Sequence, residues 1–165
     1  LLALTVHVEP EEIEKRRVAI PLLENKGRKS KVASKFGRAK YFALVDVDLK
    51  ERSTSRVEII RNPHAREVLH AGLKTARFLT ARKIDAVITK EIGEIAFSVL
   101  RANLIEVYKC EGRMLGSVIS AFLKGELKEL RKPTKRERIP IEELPGYLRP
   151  WSRGYRARRR WGWRE

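Results

Sequence analysis

The side chains best placed to do chemistry are one histidine and the single cysteine. His64 follows Asn62-Pro63, a pair that breaks an apolar run, and Cys110 follows another apolar run and precedes Glu111-Gly112-Arg113. Imidazole and thiolate are ligands that iron and other soft transition metals accept. An anionic group bound there also needs backbone N–H donors and positive charge close by. Gly37, Arg38, Asn62, Gly112 and Arg113 could supply these for a cofactor that His64 and Cys110 ligate, with Lys35 as a further cation. Both ligand candidates fall where loops are expected to meet strand ends, the usual place for a site in an α/β sheet. The competing roles are plainer: Cys110 as a small inert hydrophobe, and His64 as a loop residue capping a helix that starts near Arg66. His70 reads as a surface or boundary side chain, and His7 carries no signal.

Other chemistry finds less in the chain. One Cys and three scattered His do not make the paired spacing of a structural zinc site. There is no phosphate-binding loop, no GxGxxG, and no nucleophile-elbow signature around any serine. Asp46 and Asp48 alternate on one expected strand and Asp85 begins another, but the first strand carries no acid. The carboxylate set of a two-metal nuclease is therefore not expected. A non-enzymatic binding protein is.

The elements that must position these residues follow from periodicity. Arg17–Leu22 is β-branched and ends at a Pro, Tyr41–Asp48 is a nearly unbroken apolar run, and Ser55–Arg61 is a third strand. From Arg66 the period changes: Leu69, Leu73, Ala76 and Leu79 lie at helical spacing through to about Arg82. Asp85–Thr89 is a buried strand, Gly93 opens a second helix, Ile105–Tyr108 is a fifth strand, and Leu115 to Leu123 is a third helix that Gly125 would end. The order βββ-αβαβα predicts a three-layer α/β/α domain with a five-stranded mixed sheet over residues 17–130.

The flanks differ from this domain. Residues 1–16 form a polar arm. Residues 131–165 hold four of seven prolines, all three tryptophans and ten arginines. Within that tail Arg149, Trp151, Arg153, Tyr155, Arg156, Arg158, Arg159, Arg160, Trp161 and Trp163 interleave cations with stacking surfaces. RNA or DNA would select that pairing, so nucleic acid is the alternative partner. The formal net charge of +16 attracts polyanions generally. The absence of Gln, with only three Asn and 35% charged residues, predicts a hyperthermophilic source. No apolar stretch is long enough for a membrane helix, and a lone cysteine fits a reducing, cytoplasmic setting.

Phe36-Gly37-Arg38-Ala39 before YFALVDVD, then Asn62-Pro63-His64-Ala65, Asp85-Ala86-Val87-Ile88 with Ile92-Gly93, Val107-Tyr108 and the closing GELKEL run in order over residues 17–130. Together they resemble the dinitrogenase iron–molybdenum cofactor biosynthesis family, whose domain resembles a nitrogenase accessory factor. The resemblance implies a ribonuclease H-like motif. It also implies a carrier of iron–sulfur or molybdenum–iron–sulfur clusters that hands its cargo to a cluster-assembly protein. The family often has His before the Phe-Gly-Arg segment, where this chain has Lys35, and a Gly-rich stretch after Asn-Pro-His, where this chain has Arg66 to Gly72. The resemblance does not reach residues 131–165.

Overall fold

Side-chain alternation along the central strands divides the core into two faces. In the computed structural model, which describes residues 15–135, the strands are β1 (Lys15–Leu22), β2 (Tyr41–Asp48), β3 (Ser53–Arg61), β4 (Ala86–Thr89), β5 (Glu106–Lys109) and β6 (Lys128–Glu129). The helices are α1 (Ala71–Thr80), α2 (Glu94–Ala102) and α3 (Leu115–Leu123). They form one mixed sheet in the order β3-β2-β1-β4-β5-β6. The β1–β2, β2–β3 and β5–β6 pairs are antiparallel, and β1–β4 and β4–β5 are parallel.

Ala19, Phe42, Leu44, Val87 and Val107 point to one face, where α1 and α2 cover them with Leu73, Ala76, Leu79, Ala96 and Leu100. Val18, Ile20, Leu22, Ala43, Val45, Ala86 and Ile88 point to the other and meet Leu115, Val118, Ile119 and Phe122 of α3. A period of two along each strand is what sorts them. Phe42 and Leu79 are fully buried; truncating either to Ala would cost about 3–5 kcal/mol.

The structure corrects the expected count of five strands to six. The sixth, Lys128–Glu129, is only two residues long, pairs with Tyr108 and Lys109, and carries no periodicity from which it could be read. The first helix also starts later than Arg66. Residues 62–70 form a turn-rich loop that ends on His70 in the left-handed region at φ 62°. Leu69, expected on the buried stripe, is 60% exposed. Gly125, at φ +72°, does end α3 as its residue type predicts.

Asn62 holds that loop. Its side-chain amide, 3% exposed, donates to the Ala39 carbonyl at 2.8 Å and to Thr75 Oγ1 at 3.2 Å, and its Oδ1 accepts from the His64 N–H at 3.0 Å. Thr75 Oγ1 in turn donates to the Gly37 carbonyl at 3.0 Å. The Phe36–Ala39 turn therefore lies against the start of α1. A Cβ on Gly37 would stand 2.8 Å from Gly72 Cα and 2.9 Å from its N, a contact that backbone cannot relieve. Gly37→Ala should accordingly destabilise the domain by about 1–3 kcal/mol in denaturant titration. An unchanged midpoint would contradict the crossing.

Candidate functional site

Because β3 runs parallel to β1, β4 and β5, the loops after all four emerge at one edge of the sheet. The edge was legible from the strand order; which loops share a site there was not. Gly37, Arg38, Asn62 and His64 come together beside β3 and α1. Cys110, Gly112 and Arg113 lie beyond β5 and against α3. The two groups leave strands four ladder spacings apart, about 19 Å, and on opposite faces of the sheet. His64 and Cys110 are not brought together.

Cys110 is 1% exposed within the α3-side core, its N–H donating to the Thr89 carbonyl. Burial pushes its thiol up to about 11. Gly112 serves packing: a Cβ there would meet Val118 Cγ2 at 3.0 Å. The Arg113 carbonyl accepts from Val32, and Lys35 bridges to Glu91 through backbone.

The β3-side group borders a cavity of about 870 Å³. Its charged lining is Arg38, Lys40, Arg61, Arg66 and Arg82, without a carboxylate, and Asn62-Pro63 and Ala65 form part of its wall. Tyr41, Ile60 and Phe78 supply its apolar surface. Antiparallel register sets this up, since Tyr41 pairs with Arg61 and the Asn62 N–H donates to the Lys40 carbonyl. Helical spacing puts Phe78 and Arg82 on one side of α1, the guanidinium 3.6 Å over the ring. His64 packs edge-on to Phe78 with ring centroids 6.1 Å apart, and its Nδ1 lies 3.4 Å from Glu67 Oε1. Hydrogen bonds from Lys74 first, then from His64, hold the Glu67 carboxyl below the usual carboxylate range. Arg38 donates to the Glu67 carbonyl at 3.0 Å, which clamps the loop.

Lys40, Arg61, Phe78 and Arg82 were missed in the sequence reading. Pairing β2 with β3 residue by residue would have brought Lys40 and Arg61 to the Asn62 loop. Nothing local would have added Phe78 and Arg82, which arrive through helix packing. The tail residues singled out for nucleic acid, Arg149 to Trp163, lie outside the described residues, as does the polar arm up to residue 14.

Asp46, Asp48 and Asp85 meet around a second cavity of about 500 Å³ that also includes Arg17. Each carboxylate is engaged. Asp46 Oδ1 binds Arg17 Nε at 2.9 Å, Asp85 Oδ2 accepts the Arg17 N–H at 2.9 Å, and Asp48 Oδ1 accepts the N–H groups of Lys50 and Glu51. Among the described residues no group of three or more His, Cys, Asp or Glu is arranged to hold a metal ion, and no helix is long and apolar enough to cross a membrane. The donor set near the basic cavity thus suits an anionic group held by charge, with one imidazole close by, and does not suit ligation by several thiolates.

The chain is thus a mixed-sheet α/β domain with a cationic cavity at the end of an edge strand. Comparison with known proteins names its kin: residues 16–125 match the dinitrogenase iron-molybdenum cofactor family, and the chain belongs to it. An uncharacterized protein of Methanocaldococcus jannaschii is 29% identical over 119 residues, 72% of this chain and 94% of the relative. The apo form of the orange protein from Desulfovibrio gigas superposes with a TM-score of 0.63 at 28% identity, covering 73% of this chain and 97% of that one. A Thermotoga protein provisionally assigned as NifB gives a TM-score of 0.60 at 32% identity, with 73% and 97% coverage.

The raised thiol has two measurable consequences. Native protein at pH 8 should resist iodoacetamide at Cys110 and react only once unfolded; rapid native labelling would contradict the burial. With a folded value near 11 against an ordinary value of 9.0, the folded state keeps its proton longer than the unfolded one. The contribution of Cys110 to stability is full below about pH 9 and is lost as pH rises toward 11. Cys110→Ser should flatten that alkaline loss in melts taken between those pH values.

Proposed function

We propose that this domain binds and carries a small anionic cofactor of the metal–sulfur type, without chemistry of its own, and passes it to a partner protein. The observation that carries the reading is the cavity beside the Asn62 loop, walled by Arg38, Lys40, Arg61, Arg66 and Arg82 with no carboxylate among its lining residues. Five like charges around one concavity repel one another, and an anion seated among them relieves that repulsion while gaining charge-assisted hydrogen bonds. Membership of the dinitrogenase iron-molybdenum cofactor family supports an iron–molybdenum–sulfur cargo. Likeness to an orange protein solved in its apo form supports the binding of some cofactor. We read the β3-β2-β1-β4-β5 order as the ribonuclease H-like motif of this family, with β6 as an addition at its edge.

In this reading the arginines and Lys40 hold the cargo by charge, the wall at Asn62-Pro63 and Ala65 shapes the cavity, and His64, packed on Phe78 at its border, is able to donate a ligand nitrogen. Cys110 takes no part, being buried on the opposite face. Low reliance on covalent ligation suits a carrier, because a cargo held by charge can leave.

Anaerobic reconstitution with iron, sulfide and molybdate should give an absorbing complex that stays with the protein through gel filtration. Arg61→Glu with Arg66→Glu should weaken retention on the order of tenfold or more, each lost attraction counting about 1 kcal/mol even at the dielectric of bulk water. Cys110→Ala should leave retention unchanged. Failure of the wild type to retain any absorbing species, or retention indifferent to the arginine changes, would overturn the proposal.

A further inference from the structure

The helices on the α1 side leave the β3 edge of the sheet open. Arg56 and Glu58 are exposed on that face, and Ile60 and Phe78 are only half-buried although both pack against the core there. The opening does not end at the basic cavity. A cavity of about 410 Å³ continues from it, lined by Leu44, Glu58, Ala81 and Lys83, and shares Ile60 and Arg82 with it. That one in turn shares Arg17 and Lys83 with the cavity of about 500 Å³ around Asp46. The three make one groove between the outer strands and the end of α1. It follows β3 from Arg61 to Ser53, about 30 Å at the rise of a strand.

The groove is graded along its length. Beside the basic cavity its walls are apolar, from Tyr41 and Phe78 through Ile60 to Leu44. At the other end Asp46, Asp48 and Asp85 are all engaged within the domain. Lys15 and Lys83 line that end, and Arg82 the middle. Among the described residues none of these three cations has a carboxylate within ion-pair distance. Lys15 is also the first described residue, so residues 1–14 join the domain at the mouth of the groove.

We propose that residues 1–14 dock along this groove as an internal strap that reaches the border of the basic cavity. Charge matches first. Next to Lys15 the chain carries Glu9, Glu11, Glu12 and Glu14, and residues 1–14 contain no Lys or Arg. These carboxylates meet the unpaired cations of the far end. The apolar order matches too. Leu2, Leu4, Val6 and Val8 alternate with Ala3, Thr5 and His7, and in an extended chain such a period puts the four on one side, to meet Leu44, Ile60 and Phe78. Pro10 falls between the two stretches, where the chain has to turn into β1. Fourteen extended residues reach about 46 Å, more than the groove requires. A separate peptide of the same pattern would compete with a tethered segment whose effective concentration is on the order of millimolar. Seated there, the strap covers Ile60 and Phe78 and competes for the cavity they line, whatever that cavity binds.

The test is paramagnetic relaxation in the full chain, with a nitroxide attached at His7→Cys in a Cys110→Ala background. The amide signals of Leu44, Glu58, Ile60 and Lys83 should lose most of their intensity, while those of Lys128 and Glu129 at the opposite edge of the sheet should keep theirs. Glu9→Lys/Glu11→Lys/Glu12→Lys/Glu14→Lys, carrying the same label, should recover the groove signals. Full intensity along the groove in the first sample would overturn the proposal and leave the groove to a separate partner. Broadening that the charge reversal leaves untouched would overturn it as well. A mixture of isotope-labelled chain without nitroxide and unlabelled chain with it separates the remaining occupant: groove signals broadened there would assign the groove to the arm of a second copy and overturn the internal strap.

Discussion

One buried carboxamide organises the region around the basic cavity. Asn62 sits at the end of an edge strand, where a chain leaving a sheet normally leaves its polar backbone to water. Instead its amide bridges the Ala39 carbonyl, Thr75 on α1 and the His64 N–H. An amide so buried costs several kcal/mol unless its hydrogen bonds are met. The three segments that meet them are thereby held in register with one another. The Gly37–Gly72 crossing is the steric half of the same constraint: the Phe36–Ala39 turn can approach α1 because Gly37 carries no side chain there.

The cationic cavity is a consequence of that arrangement. Lys40 and Arg61 flank the Tyr41 end of the β2–β3 ladder, Arg38 and Arg66 arrive on the two loops that Asn62 ties together, and Arg82 lies over Phe78 in the turn just after α1. Had the loop after β3 run straight into a helix at Arg66, its cations would point along the helix surface and no concavity would form. The left-handed His70 that ends the loop is part of the same geometry, since it lets the chain turn before α1 begins.

The sheet topology then keeps different tasks apart. Four parallel strand ends share one edge, yet their loops project over both faces. The α3 side receives the buried Cys110, and the α1 side receives the basic cavity. At the opposite end of the strands, the Arg17 guanidinium pairs with Asp46 and its backbone N–H donates to Asp85, so these carboxylates anchor the start of β1.

Much was legible in the sequence, because local physics decides it. The nearly unbroken apolar run in YFALVDVD specifies a buried strand, the spacing of Leu115, Val118, Ile119 and Phe122 specifies a helix with one apolar stripe, and Gly125 specifies where that helix stops. The ordered motifs from Phe36 to Leu130 pointed to the family. The two-residue β6 and the late start of α1 were not legible: the one has too few residues to show a period, and the other depends on an amide network contributed by three distant segments. The candidate site shows the same limit. His64 and Cys110 were matched by residue type, and type is all that a chain declares by itself. Only tertiary structure decided that they face opposite sides of the sheet, and that Lys40, Arg61 and Arg82 converge beside Asn62, because proximity across strands and between helix and sheet is set by register and packing rather than by spacing along the chain.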